Sequence, residues 1–104
     1  MALTPQARET FTRLFGAEPQ PHPTDPELFD ILQNEIFDEA FSTGVLTDVE
    51  RELLTVSVLT AMQTLPQLKA HAGAALNIGA TPLQLRETIY QCAPYIGFPK
   101  TLNA

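Results

Sequence analysis

The residue of this sequence best suited to chemistry is His71, a titratable side chain on an apolar helix face of small residues. Leu68, Ala75 and Ile78 share that face at helical spacing. Imidazole changes charge near neutral pH, so a histidine there can donate or accept a proton. The plainer interpretation is a packed histidine with satisfied ring nitrogens. The other histidine, His22, lies in a proline-rich stretch and is expected to face solvent.

Glu52 is the acid expected to meet His71, because apolar residues follow it and its position in a first helical turn allows it to point inward. A carboxylate beside imidazole orients the ring and stabilises its cation. The helix dipole also favours an acid there without any catalytic role. In a symmetric helical hairpin Glu52 lies opposite Asn77, which leaves His71 roughly 9 Å away along the axis. Direct contact then requires a steep crossing, a water or a second subunit.

The sequence contains a single cysteine, Cys92, and this limits the kinds of thiol and metal site that the chain can form. One cysteine excludes an intramolecular disulfide, a Cys-x-x-Cys pair and a multi-cysteine zinc site. A lone cysteine in a helical stretch is usually a small buried hydrophobe and not a nucleophile. The sequence has no His-x-x-x-His pattern, and no cluster of carboxylates lies around His71. We therefore expect no metal and no cofactor.

The composition describes one globular chain of 104 residues, of which 44% are apolar and 17% charged. Twelve acids against six bases give a net charge of −6, so nucleic acid is not an expected partner. Every uncharged stretch is interrupted and shorter than the roughly 18 apolar residues of a membrane span. The N-terminus shows no signal peptide, and the expected location is the cytoplasm.

Prolines and caps divide the chain into helices, because proline is tolerated at the first helical position. Alternating prolines predict an extended linker over residues 18–23. We predict an all-α bundle of about five to six helices with a central antiparallel helical hairpin. We also predict two segments, a helix with its linker over residues 1–24 and the main domain over residues 25–104. The predicted helices are Pro5–Phe15 with Gly16 as its cap, 26–41 with Gly44 as its stop, 48–63 with a Thr47–Glu50 capping box, 66–77 and 82–93. Residues 95–100 are predicted to form a turn that leads into a helix start at Pro99. That helix is too short to be stable unless it packs elsewhere.

Three blocks of the sequence together resemble the carboxymuconolactone decarboxylase family. They are residues 51–56 (RELLTV), the segment from Leu68-Lys69-Ala70-His71 to residues 74–81 (AALNIGAT), and residues 95–99 (YIGFP). The blocks follow the family's order and spacing, and the resemblance covers roughly residues 29–104. It implies a small all-α protein with an alkylhydroperoxidase D-like fold that assembles into homotrimers or homohexamers.

The peroxidase branch of that family carries the pattern Glu-x11-Cys-x2-Cys-x3-His. Glu52 and His71 match the ends of the pattern, whereas Thr64 and Gln67 occupy the cysteine positions. Peroxide reduction by that route lacks its thiolate nucleophile. Cys92 lies outside the motif and cannot be assumed to replace it.

The remaining resemblance is to the decarboxylase branch, and it implies a cofactor-free lyase acting on a carboxylated unsaturated lactone. His71 and Glu52 are its expected catalytic residues. The substrate carboxylates also need cations or N–H donors, for which the available bases are Arg51, Lys69, Arg86 and Lys100. A thiol-dependent antioxidant protein and an oligomeric binding protein without turnover remain alternatives.

Overall fold

The computed structural model describes residues 2–104, which form helices and contain no strand. The predicted all-α class is therefore confirmed. The α-helices are α1 (Pro5–Phe15), α2 (Pro26–Asn34), α3 (Asp48–Met62), α4 (Leu65–Asn77), α5 (Pro82–Gln91), α6 (Ala93–Ile96) and α7 (Phe98–Asn103). None of the helices within residues 2–104 combines the length and apolar character that crossing a membrane requires.

Contacts along the chain define two units, one ending at Leu46 and the other comprising Thr47–Ala104. The sequence instead suggested a boundary near residue 24, from its proline-rich linker, and that boundary stays a prediction. Helix α1 belongs to the first unit, where it packs against α2 and the helical turns that follow α2.

Thr4 and an aromatic cluster attach α1 within the first unit. The Thr4 hydroxyl caps α1 by accepting the Ala7 N–H at 3.1 Å, and it donates to Asp38 Oδ2 at 2.7 Å. The rings of Phe11 and Phe15 lie 5.7 and 5.8 Å from that of Phe37, measured between centroids. Phe37 is therefore buried, and aromatic packing carries much of this core.

The second predicted helix begins correctly at Pro26 but does not continue as a regular α-helix to Phe41. It widens into a π-helix over Glu35–Ala40 and tightens into a 3-10 turn over Phe41–Thr43. The apolar spacing did not reveal this change, because the number of residues per turn differs by less than one between α and π geometry. Gly44 ends the segment with φ 75°, a left-handed conformation that glycine adopts without strain, as predicted.

Helix α3 is the central element of the second unit and packs against α4, α5 and α7. The predicted capping box at its start is present, since the Thr47 N–H donates to Glu50 Oε1 at 2.9 Å and the Thr47 hydroxyl accepts the Glu50 N–H. The pKa of the Glu50 carboxyl lies below its ordinary value, mainly because of the hydrogen bond from the Thr47 backbone. A hydrogen bond with the Thr47 side chain lowers this pKa further. An equivalent box of Thr81 and Gln84, which was not predicted, starts α5.

The end of the chain is more helical than predicted. Helix α5 ends at Gln91, and Pro94 lies in the first turn of α6, where its missing N–H costs nothing. The expected turn before Pro99 is thus partly helical, and α7 starts one residue earlier, at Phe98.

Gln63 supplies the packing that the short α7 needs. It takes a left-handed conformation between α3 and α4, with φ 59°. Its Nε2 donates to Lys100 O at 2.9 Å, and its Oε1 accepts from Asn103 Nδ2 at 3.0 Å. One side chain thereby joins the turn between α3 and α4 to the middle and the last residue of α7.

Replacing Gln63 with glycine tests this attachment, because glycine suits the positive φ and removes only the side-chain bonds. Each lost bond contributes about 0.5–1.5 kcal/mol, so we expect a modest loss of stability, with faster amide exchange confined to α7. Hydrogen exchange followed by mass spectrometry measures this. Gln67→Ala, at an exposed position of α4, is the control. Unchanged exchange in α7 of Gln63→Gly would show that other contacts hold it.

Candidate active site

Glu52 and His71 are in direct contact, as the sequence analysis required for a working pair. His71 Nδ1 lies 2.8 Å from Glu52 Oε2. A carboxylate oxygen only accepts hydrogen bonds, so the geometry assigns the donated proton to Nδ1. Nε2 is then the ring nitrogen that carries no proton in the neutral imidazole.

The two side chains differ in their access to solvent. Glu52 is 1% exposed and His71 is 15% exposed. A buried carboxylate is costly unless a donor satisfies it, and His71 is that donor. The imidazole therefore lies between the buried acid and the accessible space beyond it.

Helices α3 and α4 bring the pair together, although the two residues are 19 positions apart in sequence. On α4, Leu68 and Ala75 are buried beside His71, and on α3 Val56 is buried one turn after Glu52. Leu68 and Ala75 belong to the apolar face that the sequence indicated, and Ile78, its other apolar member, is half-buried. These apolar neighbours also lower the local polarity, which strengthens the interaction between the acid and the ring.

A symmetric hairpin with Glu52 and His71 roughly 9 Å apart along the axis predicts no unaided contact between them. Instead, the two side chains bond directly within one chain. Helices α3 and α4 are therefore not paired in the symmetric arrangement that the sequence analysis assumed. The left-handed residue Gln63 redirects the chain between them, and this conformation carries no glycine signal in the sequence.

The four bases proposed to bind substrate carboxylates lie in different environments. Arg51 is half-buried beside Glu52 in α3. Lys69 and Arg86 are exposed, and the Arg86 guanidinium lies 5.9 Å from the centroid of the Tyr90 ring. Lys100 is exposed in α7. Their role toward a substrate stays a prediction.

The peroxidase-branch cysteine positions lie at the start of α4. Thr64 is the N-terminal cap residue of α4, and Gln67 is exposed one turn later. Neither side chain is a thiol. Within residues 2–104, no three His, Cys, Asp or Glu side chains are gathered so that they could hold a metal ion. The expectation of a metal-free site stays a prediction.

Comparison with known proteins gives a family match over the segment that contains the pair, and similarity to two curated proteins. The model of the "Carboxymuconolactone decarboxylase family" matches residues 26–104. A 4-carboxymuconolactone decarboxylase of Acinetobacter baylyi is 36% identical over 61 residues, which is 59% of this chain and 46% of that protein. Nitrosuccinic acid decarboxylase npaB of Metarhizium robertsii is 33% identical over 55 residues, 53% of this chain and 38% of that protein. The matches thus span less than half the length of either relative.

Cys92 follows the last residue of α5 and is half-buried. Its Sγ lies 3.5 Å from Thr88 O and 3.9 Å from Ser57 O, so the thiol is a weak donor to two backbone carbonyls. These contacts suit a small packed side chain.

We expect Cys92→Ser to leave fold and activity nearly unchanged, since serine is of similar size and can donate to the same carbonyls. Thermal unfolding and a peroxide-reduction assay check this. A peroxide-reducing wild type that loses this activity in a folded Cys92→Ser variant would contradict the structural role.

Proposed function

Since the chain belongs to the carboxymuconolactone decarboxylase family, we propose that it is a cofactor-free carboxy-lyase that removes carbon dioxide from a carboxylated lactone or a related small acid. The direct contact of buried Glu52 with His71 is the observation that carries the proposal. Both curated relatives bear names of decarboxylases, which supports the reaction class. The short overlap with them leaves the substrate open.

The proposed reaction breaks the bond between a substrate carbon and its carboxylate. Carbon dioxide leaves without the bonding electrons, which pass into the conjugated lactone carbonyl. The carbon next to the lactone carbonyl then takes a proton from His71 Nε2. The double bond comes to lie at the carbon that lost the carboxylate, so the product is an enol-lactone. Solvent afterwards returns a proton to Nε2.

Glu52 supports this step in two ways. By accepting from Nδ1 it fixes the ring orientation, so that Nε2 faces away from the acid. Its negative charge, 2.8 Å from Nδ1, is also placed to interact with the ring while a proton is transferred. A buried position prevents water from screening that charge.

Variants at the pair test the mechanism through release of carbon dioxide from a carboxylated lactone. We expect His71→Gln to lower turnover by about 100-fold or more, because the proton donor is lost. Glutamine keeps an N–H donor for Glu52, so the unfolding temperature should change little. Glu52→Gln should also reduce turnover, and the double variant should be little worse than the worse single variant.

His22→Gln is the matched control, since His22 is exposed in a different unit. A structural role for His71 predicts the reverse pattern, with a lower unfolding temperature and an unchanged rate per folded molecule. Equal activity in all three site variants would contradict the proposed site. A peroxide assay run in parallel tests the antioxidant alternative, and a wild type inactive in both assays would favour a binding protein without turnover.

We also propose that the chain self-associates, as a homotrimer or homohexamer. Large apolar side chains remain exposed in the single chain, among them Tyr95 at 82% and Leu102 at 83%. Such exposure is typical of interaction surfaces. Sedimentation at micromolar concentration should show a species several times heavier than 11.4 kDa. A species of monomer mass alone would contradict this proposal.

A further inference from the structure

An apolar groove on the second unit has cations along its length. Two adjoining cavities of about 250 and 420 Å³ share Ile89 and Ala104 as lining residues. Together they form what we call the α4–α5–α7 groove, whose apolar lining includes Leu68, Leu76, Leu85, Ile89 and Leu102. Lys69 lines one cavity and Arg86 the other.

The groove is exposed and its cations lack carboxylate partners in the single chain. Leu76 is 42% exposed and Leu102 83% exposed, although both are apolar. Among the residues that the structure describes, neither Lys69 nor Arg86 forms an ion pair. Apolar surface bordered by unpaired charge is typical of an interaction site.

The first unit carries a surface with the opposite charge. Leu28, Ile31, Leu32 and Ile36 recur at helical spacing along α2 and its continuation, and each is 41–50% exposed. Glu35 lies within this row and Glu39 one turn beyond, both exposed. We call the four apolar residues and these two acids the α2 stripe. Neither acid has an ion-pair partner within residues 2–104.

Charge is also strongly segregated between the segments that contain these two surfaces. Residues 26–40 hold five acids and no base, whereas residues 53–104 hold three bases and one acid. A surface that is apolar and acidic thus accompanies a groove that is apolar and basic in every copy of the chain. Opposite potentials of this kind steer two surfaces together and reject like-charged partners.

We propose that the α2 stripe of one copy docks in the α4–α5–α7 groove of a second copy. The apolar side chains of both surfaces become buried, away from water. Glu35 and Glu39 of one copy then pair with Lys69 and Arg86 of the other. Because stripe and groove are different surfaces, the contact is head to tail and closes into a ring when the rotation between neighbours permits. The inference rests on the self-association proposed above and is independent of turnover.

A charge-swap experiment followed by sedimentation at about 0.1 M salt tests the pairing. A groove-reversed variant carries Lys69→Glu and Arg86→Glu, a stripe-reversed variant carries Glu35→Lys and Glu39→Lys, and a swapped variant carries all four changes. We expect each reversed variant to associate at least about tenfold more weakly than wild type, because attraction becomes repulsion. The swapped variant should regain association to within about threefold, since the opposite charges face each other again.

Arg8→Glu with Arg13→Glu is the matched control, because it changes the net charge as much as the groove-reversed variant does but lies in α1. This control should associate as wild type does. If the groove-reversed variant does not fold by circular dichroism, Lys69→Gln with Arg86→Gln replaces it, and association should still weaken.

The outcomes separate this pairing from the broader proposals. Groove-reversed chains that associate as wild type does would contradict the pairing and leave self-association standing. Weak association in both reversed variants with no recovery in the swapped variant would also contradict it. A wild type of monomer mass would contradict self-association itself, while the lyase proposal is decided by carbon dioxide release in the His71 and Glu52 variants.

Discussion

Burial of the Glu52 carboxylate is the constraint on which the second unit depends. A carboxylate that is 1% exposed must be satisfied from within the protein, and His71 provides the bond at 2.8 Å. Removing one partner of such a buried pair typically costs about 3–5 kcal/mol, a large part of the stability of a small domain. The pair therefore ties α3 to α4 and orients the imidazole. The stability of the second unit and the proposed chemistry therefore depend on the same contact between Glu52 and His71.

The turn between these helices extends the same constraint to α7. Gln63 ends α3 in a left-handed conformation, and its side chain bonds the backbone of Lys100 and the side chain of Asn103. Residues of α7 then form one wall of the α4–α5–α7 groove, including Leu102. A single turn thus sets the geometry of the proposed proton donor and holds a wall of the proposed docking surface.

Local signals in the sequence were sufficient for the helix starts at Pro5, Pro26, Asp48 and Pro82, because caps and prolines act within one turn. The pairing of Glu52 with His71 was also accessible, since their residue types and a family motif indicated it. Their direct contact within one chain could not be predicted, because it depends on how α3 and α4 pack against each other. The stability of α7 was hidden for the same reason, as its partner Gln63 lies 37 residues before Lys100. Nothing in the local pattern distinguished the π-helical segment Glu35–Ala40 from ordinary helix.

The distribution of charge bears on how an acidic protein could act on an acidic substrate. A net charge of −6 would repel a carboxylated molecule if it were spread evenly. Residues up to position 46 contain eight acids and two bases, so they carry the whole excess, whereas residues 47–104 contain four of each. The unit that holds His71 is therefore formally neutral, and one of its acids, Glu52, is buried against the ring. Charge segregation thus reconciles a strongly acidic chain with a proposed anionic substrate.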